Sequence, residues 1–358
     1  MVLYFKKVNI KHNFFIIENN NNGDIMHEID LSSYDIRTDL IDEVIEKDKF
    51  EYKKRDNVKI NRVELKEKEA VKINRKEGNY VTISFDDVTD FNNLEKVKNI
   101  FSIELKEIIK KNKIKDKDKC LIVGLGNIKS TPDSLGPKVI NNIIVTNHIF
   151  EMNKLDDNLR CVSAFIPGVK GNTGIESGEL ILSIINTISP DFIIAIDALA
   201  SQSLERLNKT IQITDTGIIP GSGIGNSRKE ISKDTVGKPV IAIGVPTVVG
   251  ASTIVTDTIN FIYRSFEFSK KPINKLNVGN LNYLKFNNSE NNENKKNLLG
   301  LVGTLSEEDL KKLINEVLTP IGYNLIVSPK EIDFLIDKLA DVIGNGINRA
   351  LHKNVDFI

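Results

Sequence analysis

The 358-residue chain carries 49 Lys and Arg against 49 Asp and Glu, four His, two Cys and no Trp, with 40% apolar and 27% charged residues. Zero net charge excludes the basic footprint of a dedicated nucleic-acid binder. No stretch approaches the roughly 18 uninterrupted apolar residues that a membrane span requires, so no membrane partner is expected.

Taken in chain order, residues 1–25 lack a sustained apolar core and a small-residue cleavage site, and so do not read as a secretory signal. Composition changes abruptly at Met26. Codons for the preceding Asn-Gly-Asp-Ile can spell a purine-rich segment just upstream of an ATG, so Met26, rather than Met1, is expected to be the true start. Residues 47–76 hold twelve Lys or Arg against six Asp or Glu. Val58, Ile60, Val63 and Leu65 recur among these charges as in solvated edge strands, which makes a charged face the better reading than a nucleic-acid site. A helix is expected near Leu94 to Lys111.

From Cys120 onward the pattern changes. Apolar runs at 120–125, 159–166, 192–197, 210–214 and 240–245 alternate with amphipathic stretches beginning near Gly136, Ile175, Leu204 and Ala251. That alternation predicts an α/β fold with a mostly parallel sheet flanked by helices, preceded by a β-rich charged region over 47–90. Cys120 and Cys161 each lie in an apolar run, too few for a disulfide framework and without metal-site spacing, as expected of buried reduced thiols in a cytoplasmic protein. Residues 286–297 are rich in Asn, Glu and Lys and read as a mobile surface insertion. Near the C-terminus, Ser328, Pro329 and Glu331 predict the capped start of a long helix. The domain expectation is therefore an N-terminal extension and pro-segment over 1–39, then a single catalytic domain over 40–358.

Two acidic residues stand where α/β sheets place their chemistry. In the glycine-rich segment at 124–137, which follows an apolar strand, Gly124-Leu125-Gly126 leads into Asn127 and then a Thr-Pro-Asp turn rather than a third glycine opening a helix, so it is not a dinucleotide fingerprint. What it presents is Asp133. Asp197 closes the apolar run at 192–197 and is expected at the same sheet edge. Two carboxylates in one site share a proton and can activate water while protonating a leaving amine, although each aspartate taken alone can also be a simple turn or helix cap.

Other candidates compete. Asp215-Thr216-Gly217 matches the triplet of pepsin-like proteases, but it occurs once and in an α/β context, so a turn is expected. Gly221, Ser222 and Gly223 open a glycine-rich loop able to present backbone N–H groups to a carbonyl or anion. The four histidines are scattered and form no zinc motif, so neither a metal nor another cofactor is expected.

Four ordered segments, at 121–139, 162–177, 193–232 and 238–254, carry a resemblance that extends to 324–352 and to the Tyr34–Glu43 stretch. Together they closely resemble the germination protease family of endospore-forming bacteria. The resemblance implies a homotetrameric endopeptidase of the developing forespore and spore core, made as a zymogen, that degrades small acid-soluble spore proteins during germination. It implies that Asp133 and Asp197 are the paired catalytic aspartates, and it argues against Asp215. It also implies a fold like that of hydrogenase maturation endopeptidases, whose first loop holds nickel. A metal-dependent peptidase, with His148 as a further ligand, is thus one alternative, and a non-catalytic binding module for spore proteins is another. The family's self-cleavage context falls on Arg37-Thr38-Asp39-Leu40, with the cut after Asp39. An acidic residue before the cut calls for a basic receiver, for which Arg206 and Arg228 are the candidates.

Overall fold

The apolar runs assemble into one sheet whose two faces are both covered, as their near-continuous hydrophobicity requires. The structure is a computed structural model and describes residues 40–45, 51–55, 57–152, 157–220, 229–269, 296–297, 299–318 and 325–353. Met26, Asp39, Gly221, Ser222, Gly223, Arg228 and residues 286–295 of the expected insertion lie outside the described residues.

Among the described residues nine strands form the sheet: β1 (Glu51–Arg55), β2 (Val58–Leu65), β3 (Gly78–Ser84), β4 (Cys120–Gly124), β5 (Val162–Phe165), β6 (Phe192–Ser201), β7 (Thr210–Thr214), β8 (Val240–Gly250) and β9 (Ile326–Val327). Their order is β1-β2-β3-β7-β8-β6-β4-β5, with β9 paired to the end of β8. The half formed by β5, β4, β6 and β8 is parallel, whereas β7, β3, β2 and β1 follow one another antiparallel beyond β8. The α/β class thus holds in a mixed sheet, and the expected β-rich N-terminal region extends it on one side.

Strand β7 departs from the expected parallel arrangement for a local reason. Only Gln202–Lys209 separate it from β6, including a single 3-10 turn at Leu204–Arg206 where a helix was expected. A parallel crossover needs a dozen residues or more. The chain therefore turns back and lies antiparallel on the far side of β8.

Side-chain parity assigns the two faces. Cys120 and Ile122 of β4, with Phe192, Ile194 and Ile196 of β6, join one core cluster. In it they meet Phe101 and Leu105 of the helix Phe91–Lys111 and Leu339 and Ile343 of the C-terminal helix Ile332–Leu351. Leu121, Val123, Ile193 and Ala195 belong to the other cluster, with Ile181 and Ile185 of the helix Ser177–Ile188. The Phe91–Lys111 helix begins where Asp90 accepts a hydrogen bond from the Asn93 N–H at 3.0 Å, satisfying one of its free first-turn donors. Val58, Ile60, Val63 and Leu65 of β2 are all buried, as their spacing suggested.

The C-terminal helix starts one turn later than its sequence suggested. Because Ile326–Val327 is still extended and paired with β8, the chain needs a turn at Lys330–Glu331 before the helix opens at Ile332, and Ser328 does not cap it. No helix among the described residues is long and apolar enough to cross a membrane.

Candidate active site

The site is built where β4 stops and β6 continues. Gly124, the last residue of β4, pairs with Ile196, and the Leu125 N–H still donates to the Ile196 carbonyl at 2.8 Å. Asp197 is the next residue of β6. It does not end its strand, which runs on to Ser201 against β8. Parity places it on the face of Ile193 and Ala195, past the last β4 residue, and it is 6% exposed. Its Oδ1 accepts from the Ala198 N–H at 2.9 Å, so its own carboxylate takes a donor that a longer β4 would have used.

After β4 the chain folds back on itself. The Asp133 N–H donates to the Ser130 carbonyl, and the Asn127 N–H to the Asp133 carbonyl, both at 2.9 Å. Gly126, at φ +113°, has no room for a side chain: a Cβ there would sit 2.0 Å from the Asp133 carbonyl oxygen. Gly124, Gly126 and Gly136 of this segment each allow a close backbone approach that a Cβ would block. By this folding the loop places Asp133 on the wall of a cavity of about 360 Å³ that Asp197 also lines. The two aspartates singled out from separate segments thus share one cavity. Leu199, Thr247 and Ser328 contribute to the same wall, and Ser177 braces its rim by donating to the Gly168 carbonyl at 2.8 Å.

Sequence reasoning missed Thr247. In the β6–β8 ladder Leu199 pairs with Pro246 and Ala200 with Val248, so Thr247 is the extra residue of a β-bulge. Bulges re-aim side chains beside active sites. The signal was Pro246 within a mostly apolar strand, since proline in a sheet interior is confined to such irregularities.

The remaining candidates lie elsewhere. Both carboxylate oxygens of Asp215 are engaged: Oδ1 accepts from the Asn79 N–H, and Oδ2 from the Asn79 and Asn112 side-chain amides, at 2.7, 2.8 and 3.0 Å. Asp215 ties the end of β7 to β3 and to the end of the Phe91–Lys111 helix. His148 is on the short helix Asn147–Glu151 and does not line the cavity. Burial pushes the Cys120 and Cys161 thiols up, away from the thiolate form, and Cys161 donates to Asn147 Oδ1 at 3.0 Å. Among the described residues, no three His, Cys, Asp or Glu side chains are grouped as a metal would need.

Arg206 does not line the cavity either. It holds the segment that follows the expected cleavage site: its guanidinium lies 3.5 Å from Asp42 Oδ2 and 3.8 Å from Glu43 Oε1 and donates to the Asp42 carbonyl at 3.1 Å. Leu40 and Ile41 have no exposed surface, the Ile41 N–H donates to Gln212 Oε1 at 2.7 Å, and Glu43 accepts from the Ser201 hydroxyl and the Gln202 N–H.

Burial raises the Asp42 carboxyl above its ordinary value, opposed by the charge of Arg206 and by hydrogen bonds from Thr82, Asn61 and Arg206. A carboxyl raised on folding holds its proton more tightly in the native state. Its contribution is therefore fully present below the unfolded value of about 3.9 and is lost as pH rises through the folded value. Removing Arg206 takes away an opposing charge and raises that value further. Arg206→Ala is expected to cost about 1–2 kcal/mol at neutral pH, and less in acid where Asp42 is neutral. Thermal unfolding of both proteins across pH 4 to 8 checks this, and a loss that does not change with pH would refute it.

A mixed α/β protein with a carboxylate-lined cavity beyond the C-terminal ends of its parallel strands is the class these observations define. Residues 24–357 match the family model described as germination protease. Over 92% of this chain it is 44% identical to the germination protease of Priestia megaterium, covering 97% of that protein. It is 42% identical to that of a Geobacillus strain and 43% to that of Bacillus cereus, in each case over 92% of this chain and 96% of the relative. The chain belongs to the germination protease family, and its activity is that of a peptidase. A solved [NiFe] hydrogenase maturation protease, HycI from Thermococcus kodakarensis, aligns at 17% identity with a TM-score of 0.26, over 40% of this chain and 80% of that one.

Proposed function

We propose that the cavity is the centre of peptide hydrolysis, with Asp133 and Asp197 acting as a pair on one water molecule. The observation that carries this reading is that both residues line one cavity in a chain of a peptidase family. One carboxylate, ionised, takes a proton from the water as it attacks the scissile carbonyl. The other, protonated, gives its proton to the departing amine, and the two exchange roles to reset. The substrates are small acid-soluble spore proteins, degraded in the spore core at germination by a homotetramer. The catalytic unit is residues 40–358, and residues 1–39 are an extension and pro-segment.

In this reading the protein is a zymogen that cuts itself after Asp39. The residue that becomes the new N-terminus, Leu40, is already buried, and its neighbours are held by Gln212, Ser201 and Arg206. Removal of the pro-segment therefore leaves the rest of the chain anchored, while cleavage requires the anchor to open locally, since a protease needs an extended stretch of substrate. N-terminal sequencing of the full chain after it has processed itself is expected to begin at Leu40. A different first residue would overturn the assignment of the cut, and a chain that never processes would overturn the zymogen reading.

A further inference from the structure

Strand β6 outlasts its neighbour. On the β8 side it is paired from Ile193 to Ser201, but on the β4 side its partners end with Gly124 and Leu125. Backbone groups alternate sides along a strand, so the groups of Ile196, Ala198 and Ala200 face the β4 side. The Ile196 carbonyl accepts from Leu125, and the Ala198 N–H is taken by the Asp197 carboxylate. Next along this edge come the Ala198 carbonyl and the Ala200 N–H, for which no strand among the described residues supplies a partner.

This edge is not on the open surface. Ala198, Leu199 and Ala200 line the same cavity as Asp133 and Asp197, and Ala200 is 2% exposed. Buried backbone polar groups are almost always paired, and a free strand edge is a template for another chain. Small side chains at 198 and 200 leave room for a backbone to approach. In a parallel pair, one residue of the added strand donates its N–H to a carbonyl and accepts from the N–H two residues further on. The Ala198 carbonyl and the Ala200 N–H form that slot.

Resting on the hydrolytic reading above, we propose that the substrate polypeptide binds as an added strand parallel to β6, taking up the line of β4 where β4 stops. One substrate residue occupies the slot between Ala198 and Ala200, and the chain beside it passes the two aspartates. Recognition through the main chain leaves sequence preference to the side-chain pockets alongside it.

The test uses the full chain, with its processing followed by intact mass, and a synthetic peptide of the sequence Tyr34 to Glu43. Each non-scissile amide N–H of the peptide is replaced in turn by an ester oxygen, which removes a donor without adding bulk. The expected result is a loss of kcat/KM of about tenfold at one position, with the positions on either side within about threefold of the parent. A parent peptide that is cut while every ester is tolerated, or while adjacent positions are equally sensitive, would overturn the added strand and leave the hydrolytic reading standing. A parent peptide left intact by the processed protein would overturn the hydrolytic reading, and the added strand with it.

Discussion

Asp133→Asn and Asp197→Asn are each expected to lower kcat/KM for hydrolysis of a small acid-soluble spore protein by about 10³-fold or more, without unfolding the protein. An amide has the size and shape of the carboxylic acid but can neither take a proton from water nor return one to the leaving amine. In Asp197→Asn the side-chain carbonyl can still accept from the Ala198 N–H, as Oδ1 does now. At Asp133 the loop is held through the residue's own backbone N–H and carbonyl, which the substitution does not touch. The double variant is expected to lose little more than either single one, because residues that act as a unit are non-additive. Thermal unfolding within a few degrees of the parent would show that the loss is chemical. Full activity in either variant would remove that residue from the proposed mechanism, and loss of the parent's activity on adding a chelator would favour a metal-dependent one.

Gly136→Ala is expected to cost about 3 kcal/mol or more and to take activity with it. A Cβ at Gly136 would stand 2.2 Å from the Leu125 carbonyl oxygen, 2.6 Å from the Leu125 nitrogen and 2.7 Å from the Ile196 carbonyl oxygen. All three neighbours are backbone, so no side-chain rotation relieves the clash. Relief requires the loop carrying Asp133 to move away from β6, which carries Asp197, and that separates the two aspartates. Gly171→Ala is the control: nothing lies within 4 Å of its would-be Cβ, and the residue is in the short helix Lys170–Thr173, where alanine is tolerated or mildly favoured. Denaturant unfolding of both variants, with hydrolysis measured alongside, checks the contrast. A Gly136→Ala protein as stable and active as the parent would show that this approach does not set the site.

Much of the architecture was legible because the signals are local. Apolar runs at 120–125, 192–196 and 240–245 became β4, β6 and β8, since strands covered on both faces read as near-continuous hydrophobic stretches. The helical period from Leu94 to Lys111 held because its buried residues recur three and four apart. The aspartates were legible as well, one in a turn after a strand and one at the end of an apolar run. The limits of β6 were not. Ala198, Leu199 and Ala200 are neutral as to strand or loop, and only pairing with β8 keeps them extended.

By itself the sequence determined the α/β class, the two carboxylates and membership of a peptidase family, because each depends on residue type and order along the chain. Tertiary structure alone decided that Asp133 and Asp197 line one cavity, that Thr247 bulges into it, and that Asp215 is tied into the scaffold. It also decided that Arg206 holds Asp42 and Glu43. These are spatial relations between residues dozens to more than a hundred positions apart. Which of them form is set by the order and lengths of paired strands, and no local propensity encodes that.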